Sequence, residues 1–196
     1  MRSKTEDRRP KKTRLALSQS LISLMFEKRY ESIVIQEILD RANVGRSTFY
    51  MHFRDKDDLL IEGTQGLAEF LRGAQTASAA PTGKRHEKII GYSLAMFEHA
   101  YEHRKLYWAL VGGAGWIIFR QRLEDILVQL MKEDARILFK KKGASDVPFE
   151  LFIYFLAATF ISMMTWWHNR KNPIPPQEIN ELFRELVLPV LAAHLN

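Results

Sequence analysis

Apolar side chains recur along the chain at intervals of three and four residues, the spacing that places them on one face of an α-helix. The runs cover residues 15–26, 35–42, 85–102, 106–111, 116–141, 151–167 and 179–190. No stretch shows the sustained alternation of apolar and polar residues, bounded by hairpin turns, that marks a strand. The pattern therefore predicts an all-α fold.

A shorter helix that starts at Arg46 is predicted after a turn at Asn43 to Gly45. At about eight residues it is too short to be stable alone in water, and Phe49 and Phe53, four residues apart, give it an apolar side for docking. Two short helices joined by a turn that contains glycine, over residues 35–53, match the helix-turn-helix arrangement.

The same pattern divides the chain into a small head and a larger helical body. Residues 1–12 form a polar basic arm, and Thr13 is a plausible cap for the first helix of a head at 13–72. Asp55 and Asp58, a variant of the capping box, start a fourth helix expected to run from Lys56 to Leu71. Small and polar residues at 73–84 form a linker or helix end, and residues 85–196 form the body.

Charge separates the head from the body. Residues 1–56 contain 13 Lys and Arg against 7 Asp and Glu, a net charge of 13 − 7 = +6, and residues 57–196 contain 16 of each. A basic segment joined to a neutral remainder indicates a polyanion-binding head on an uncharged body. For the first fourteen residues alone, a solvated basic tail is an equally good interpretation.

The side chains of the short helix suit DNA recognition. Arg46 can donate two hydrogen bonds to guanine, and Ser47 and Thr48 can bond to base edges or phosphates. Tyr50 and His52 suit phosphate oxygens beside the groove, as does Lys56 at the start of the next helix. Each has a simpler structural alternative, since Ser47 can cap the helix, Tyr50 can be packing and His52 can be an ordinary surface residue.

The run VIQEILDRANVGRSTFYMHFRDKDDLL resembles the DNA-binding head of the TetR family of bacterial transcriptional regulators. The resemblance implies a recognition helix that begins at Gly45 and ends at His52. It also implies phosphate contacts from Tyr50, His52 and Lys56, and positioning contacts near Thr13. The order LYWALVGGAGW followed by an apolar helix ending TWWHNRKNPIPPQEI is similar to the TetR subset common in Gram-positive bacteria.

One position departs from the family pattern. The family's second helix usually begins with a Thr or Ser cap, whereas Val34 stands there in this chain. A valine side chain cannot accept the hydrogen bond from the amide of Glu37, so we expect a weaker helix start.

Residues 151–167 are uncharged throughout. A helix that is apolar on every side must be buried on every side, either in a membrane or between its own domain and a second copy of the chain. The weak flanks and the amphipathic neighbours favour the second alternative and predict a homodimer without a membrane. The residues expected at its interface are Phe152, Phe160, Met164, Ile179, Leu182, Phe183, Leu186 and Val190.

Aromatic residues of the body are candidates for lining an effector cavity, although most are expected to be ordinary core. These are Phe97, Tyr101, Tyr107, Trp108, Trp116, Phe119, Phe155, Met163, Trp166 and Trp167. Such a lining suits a hydrophobic, aromatic or planar cationic molecule. His99 and His103, with Glu98 or Glu102, are a weak metal alternative, and residues 112–115 (GGAG) are predicted to be an interhelix turn.

Together these observations predict a cytoplasmic, homodimeric transcriptional regulator that binds a palindromic operator in double-stranded DNA. A repressor released by a small molecule is the preferred interpretation. A DNA-binding protein whose body binds a protein partner instead is the alternative. The chain has no cysteine, no catalytic constellation is visible, and neither an enzyme activity nor a cofactor is expected.

Overall fold

The computed structural model describes residues 8–78, 85–139 and 147–195. Within these ranges the chain is helical and contains no strand, so the predicted all-α fold is confirmed. Residues 1–7 of the predicted arm and 79–84 of the predicted linker lie outside the described ranges. The α-helices are α1 Arg8–Met25, α2 Ile35–Ala42, α3 Arg46–Tyr50, α4 Lys56–Gly63, α5 Gln65–Ala77, α6 Ser93–Glu102, α7 Arg104–Leu110, α8 Ala114–Phe139, α9 Phe149–His168 and α10 Pro176–Leu195. Short 3-10 turns lie at Tyr30–Ser32 and Arg85–Ile90.

The helices form two compact units. Unit 1 consists of Met1–Gln65 and Lys105–Phe119, and unit 2 consists of Gly66–Arg104 and Arg120–Asn196. Residues 105–119, which lie in the predicted body, therefore pack with the head helices. The helix α8 begins in unit 1 and continues into unit 2.

The core of unit 1 explains how a five-residue helix is held in place. Leu17 and Leu21 of α1 have 2% exposure or less, and they pack in one cluster with Ile38 of α2 and Leu59 of α4. Phe49 of α3 is fully buried in the same cluster, and Phe53 is 4% exposed. The predicted docking of this helix through its two phenylalanines is confirmed. Burial of two such rings stabilises the helix by several kcal/mol, on the order of 2 kcal/mol per ring.

The turn between α2 and α3 has the geometry that its sequence predicts. Asn43 is left-handed, with φ 52° and ψ 49°, a conformation that asparagine tolerates better than most residues. The Val44 amide donates back to the Leu39 carbonyl at 3.1 Å, which closes α2. α3 then starts from Gly45, whose backbone is extended.

Several helix boundaries differ from the prediction. α3 is Arg46–Tyr50, shorter than the predicted recognition helix of residues 45–52, and the helix predicted over 85–102 is a 3-10 turn followed by α6. α1 begins at Arg8, so Thr13 lies inside the helix and does not cap it. Pro10 is the third residue of α1, in the first turn, where the missing amide hydrogen is not needed. The predicted helix from Lys56 to Leu71 is two helices, because Thr64 ends α4 and bonds its hydroxyl to the Ile61 carbonyl at 2.7 Å.

The core of unit 2 is built from aromatic rings and a few buried polar bonds. Phe97 of α6 lies 4.8 Å from Phe160 of α9 and 5.5 Å from Trp167, measured between ring centroids. The buried Ser93 hydroxyl donates to the Asn180 amide oxygen at 2.6 Å, which joins α6 to α10. These contacts make α9 an interior helix of the unit on one side.

α9 is long and apolar enough to cross a membrane by length and composition, and it is the one described helix of that kind. Nine of its residues are buried inside unit 2. Its other side exposes a stripe at Leu151, Tyr154, Phe155 and Trp166, each between 45% and 60% exposed. The helix therefore has a core face and an apolar face left open by the single chain.

The structure places most of the predicted interface residues on the core face. Phe152, Phe160, Met164, Ile179 and Phe183 are all 2% exposed or less. They fill the interior of unit 2, because the helices of one chain already cover them. Leu182 and Leu186 are 43% and 62% exposed, and Val190 is half-buried.

The start of α2 has half of a capping box. The Glu37 carboxylate accepts from the Val34 amide at 3.0 Å, but the Val34 side chain accepts nothing. Val34→Thr supplies the missing acceptor, and because Val34 is 56% exposed, little apolar burial is lost. We expect a stabilisation of about 1 kcal/mol, measured as a rise of roughly 2–4 °C in Tm. Val34→Ala is the control, with no rise expected, and an unchanged or lower Tm for Val34→Thr would contradict the cap argument.

Candidate nucleic-acid interface

α3 presents the predicted side chains on the outside of unit 1. Arg46, Ser47 and Tyr50 are exposed, and Thr48 and His52 are half-buried. The Tyr50 ring packs edge-on to the buried Phe49, with centroids 5.3 Å apart. Ser47 does not cap the helix, because the cap residue is Gly45. The polar groups of α3 are thus held on a short helix whose position is fixed by the ring beneath it.

The Arg46 guanidinium is oriented by a residue that sequence reasoning missed. Its Nη2 donates to the Gln36 side-chain oxygen at 3.0 Å, and the Gln36 amide nitrogen donates to the Asp40 carboxylate at 2.8 Å. This exposed chain of bonds runs from α3 to α2. Gln36 is one residue into α2, and its local sequence gives no sign that it faces Arg46.

The surrounding protein does not require a glycine at position 45. Its φ is −70°, which any residue adopts, and a Cβ added there would meet nothing within 4 Å. Glycine at an exposed helix start with no internal reason for it leaves room for the backbone to approach an outside partner closely.

The Lys56 ammonium, for which we expected a phosphate contact, bonds main-chain carbonyls of unit 1 in this structure. Its ammonium donates to the carbonyls of Tyr30 and Ile33, both at 2.8 Å, and to that of Glu31 at 3.4 Å. It also lies 4.4 Å from the centroid of the Tyr30 ring. Burial lowers the pKa of the Lys56 ammonium. These bonds give the Lys56 side chain a structural role within unit 1, and its phosphate contact stays a prediction.

Tyr30 ties the same cluster to the start of α4. Its hydroxyl donates to the Asp57 carboxylate, and burial together with this bond raises the pKa of the phenol well above its ordinary value. The Asp55 side chain caps α4 by accepting from the amides of Asp57 and Asp58, at 2.9 and 2.8 Å. The turn before α2 and the first turn of α4 therefore form one hydrogen-bonded cluster.

The turn at residues 112–115 closes against the other side of Tyr30–Ser32. Arg29 donates to the main-chain carbonyls of Trp108, at 3.3 Å, and Val111, and the Gly115 amide donates to the Glu31 carboxylate at 3.3 Å. A Cβ on Gly113 would lie 1.9 Å from a Glu31 oxygen. The Glu31 side chain would have to move to admit a larger residue at 113, and Gly112, with φ 82°, adopts a conformation that favours glycine.

The predicted effector-lining residues do not form one group. Tyr107, Trp108, Trp116 and Phe119 belong to unit 1, where Tyr107 and Trp116 pack 5.2 Å apart. Phe97, Tyr101, Met163 and Trp167 belong to unit 2, with Trp167 beside both Phe97 and Tyr101, whereas Phe155 and Trp166 lie on the exposed side of α9. Phe97 and Trp167 are fully buried, so they fill the core in this structure.

His99 and His103 do come together, with ring centroids 4.4 Å apart. The Phe70 ring lies 5.4 Å from His99, and burial lowers the pKa of His99. No group of three or more His, Asp or Glu side chains suited to a metal ion is found within the described residues.

Two family profiles match the chain. A profile of the bacterial regulatory proteins of the tetR family matches residues 21–62, and one of a transcriptional regulator C-terminal region matches residues 87–188. The first match contains the α2–turn–α3 arrangement, and the second contains most of the body.

Individual relatives agree with these profiles. The HTH-type transcriptional regulator YxbF of Bacillus subtilis is 38% identical over 60 residues, which are 30% of this chain and only 16% of that protein. The HTH-type transcriptional repressor KstR2 of Mycolicibacterium smegmatis is 22% identical over 194 residues, covering 91% of this chain and 90% of its own. The crystal structure of RolR in complex with resorcinol has a TM-score of 0.68 at 20% identity, covering 93% of this chain and 89% of that one.

The helix-turn-helix head, the helical body and the two profile matches lead to one conclusion. The chain belongs to the TetR family of bacterial transcriptional regulators.

Proposed function

We propose that this TetR-family regulator represses transcription by placing α3 in the major groove of a palindromic operator, and that a small molecule bound by the body releases it. The single observation that carries the proposal is the exposed, polar α3 docked through Phe49 behind a turn at Asn43. A short helix fixed in this way can enter the groove without losing its position.

Each exposed group has a role that suits its chemistry. Arg46, already oriented by Gln36, reads a guanine through two hydrogen bonds, and Ser47 and Thr48 contact neighbouring base edges. Tyr50 and His52 contact phosphate, and Thr13 of α1 is a further positioning contact. Gly45 lets the start of α3 approach the DNA backbone. Lys56 acts differently from these residues, as a positioning residue that holds the turn before α2.

A homodimer presents two copies of α3 to the two halves of the operator. The support is the exposed Leu151, Phe155 and Trp166 on α9, together with Leu182 and Leu186 one turn apart on α10. From Leu151 to Trp166 the helix rises by about 22 Å. An apolar surface of this extent on a single chain is typical of an interface with a second copy.

The ligand response has indirect support. RolR, which shares the fold, holds resorcinol, a small aromatic molecule, in its crystal structure. In this chain the exposed ring of Tyr101 lies beside the buried Trp167 within unit 2. A ligand that binds one arrangement of the dimer more tightly than the DNA-binding arrangement shifts the population away from DNA.

The first test measures binding of the protein to labelled DNA from the flanks of its own gene, by fluorescence anisotropy. Arg46→Ala is expected to weaken specific binding by about 1–3 kcal/mol, because one bidentate base contact is lost. Binding to unrelated DNA should change little. Arg120→Ala, which removes an exposed arginine outside α3, is the control with unchanged affinity. Equal binding of wild type and Arg46→Ala to every flanking fragment would contradict the assignment.

The second test separates the two roles of Lys56. Lys56→Met removes the ammonium bonds to the carbonyls of the turn, and we expect a loss of about 2 kcal/mol of folding stability. The slope of log K against log salt should equal that of wild type. A phosphate contact would instead reduce the slope by about 0.9. Lys105→Met, an exposed lysine of unit 1, is the matched control, and a reduced slope for Lys56→Met alone would restore the phosphate role.

The third test addresses the dimer. Leu186→Glu places a charge in the proposed apolar interface, where burial without a partner costs several kcal/mol, on the order of 3 kcal/mol or more. We expect the variant to sediment as a monomer at micromolar concentration and to lose operator affinity. Ile117→Glu changes an equally exposed apolar residue of unit 1 and should remain dimeric. A dimer that survives Leu186→Glu would exclude this face.

A further inference from the structure

A groove of about 410 Å³ opens on unit 2 where α5, α8 and α9 meet. Ile126, Val128 and Leu130 lie beneath it, all 5% exposed or less, and the half-exposed ring of Tyr154 supplies most of its apolar surface. This volume lies within the range of small-molecule sites, which combine apolar walls with a few polar groups. None of the predicted effector-lining residues borders it.

The charged groups of the groove are unevenly matched. Arg72, Arg122 and Lys132 line it, against one acid, Asp125. Arg72 is neutralised by the Glu133 carboxylate, with bonds of 2.9 and 2.7 Å. The Lys132 ammonium lies 5.9 Å from the Tyr154 ring centroid, and Asp125 accepts a weak bond from Gln121 at 3.3 Å. The groove therefore keeps a net positive charge after the Arg72–Glu133 pair and the charge of Asp125 are subtracted.

Arg122 is the group with unmet bonding capacity. Its Nε is shielded from water and has no hydrogen-bond partner, and no carboxylate of the described residues pairs with its guanidinium. Burying a polar group of a charged side chain without a partner is unfavourable. A carboxylate fits the planar fork of a guanidinium with two parallel hydrogen bonds, whereas a neutral acceptor satisfies less of it.

We infer that this groove binds a small carboxylate with a short aliphatic or aromatic body. The carboxylate pairs with Arg122, Lys132 adds a second positive charge, and the body of the ligand lies against Ile126 and the Tyr154 ring. The regulatory role of this site rests on the ligand response proposed above. Binding itself is measured without DNA, so a failure of operator binding and a failure of this site are seen separately.

The test titrates octanoate and benzoate into the full-length protein by isothermal calorimetry at constant ionic strength, with 1-octanol as the uncharged comparison. We expect saturable binding of at least one of the two acids and weaker binding of 1-octanol. Arg122→Gln should weaken acid binding by about tenfold or more, since a charge-assisted bidentate contact is removed. Arg122→Lys, which retains the charge but loses the fork, should fall between the two.

Arg120→Gln is the matched control, because it removes the same charge from the same helix outside the groove. It should bind the acids as wild type does. Thermal melting of each variant verifies that it is folded, and Arg122→Lys carries the test if Arg122→Gln does not fold. The inference is overturned if neither acid binds wild type, or if the acids bind the Arg122 variants as tightly as wild type.

Discussion

The contacts of the half-buried Lys56 ammonium connect the parts of the head. The ammonium donates to three carbonyls of the chain between α1 and α2, and it does so from the first residue of α4. The Tyr30 carbonyl also accepts from the Ile33 amide at 3.1 Å, whereas the Ile33 carbonyl lies beyond the 3-10 turn, where loss of a bond to a charged donor costs about 1–3 kcal/mol. Since α2 and α3 follow directly from this turn, the ammonium also fixes where the exposed helix begins.

Ion pairs within the protein partly neutralise the positive charge of the head. The first 56 residues carry the whole net charge of the chain, yet several of their cations are paired within the protein. Arg14 bonds Glu62 at 2.7 Å, Arg54 bonds Asp58 at 2.5 Å, and Arg41 bonds Glu27 at 2.5 Å. Each such pair on the surface contributes little stability, about 0–1 kcal/mol. Because of these pairs, the positive charge that a polyanion would meet is smaller than the formal net charge. Arg46 differs from the three paired arginines, because it bonds the neutral side chain of Gln36.

Local features of the sequence were enough to predict α2, its end at the turn that starts with Asn43, and the docking of α3 through Phe49. Each depends on residues within one or two turns of one another. The inward direction of Lys56 could not be predicted, because its carbonyl partners lie 23 to 26 residues away. The same is true of Phe152 and Phe160, since a helix that is apolar on all sides carries no sign of which face meets its own chain. Residues 105–119 were predicted as a helix and turn, but the packing of Gly113 against Glu31 that places them in unit 1 is a tertiary contact.

The break at Thr64 distinguishes the connections between the two units. The chain passes from one unit to the other at residues 65–66, 104–105 and 119–120. The first of these crossings follows directly on the helix break, with Gly63 and Gly66 on either side. At 119–120 the crossing lies inside the uninterrupted α8, whose 26 residues extend over about 39 Å. The backbone at the first crossing therefore lacks the continuous ladder of helical hydrogen bonds that holds it at 119–120.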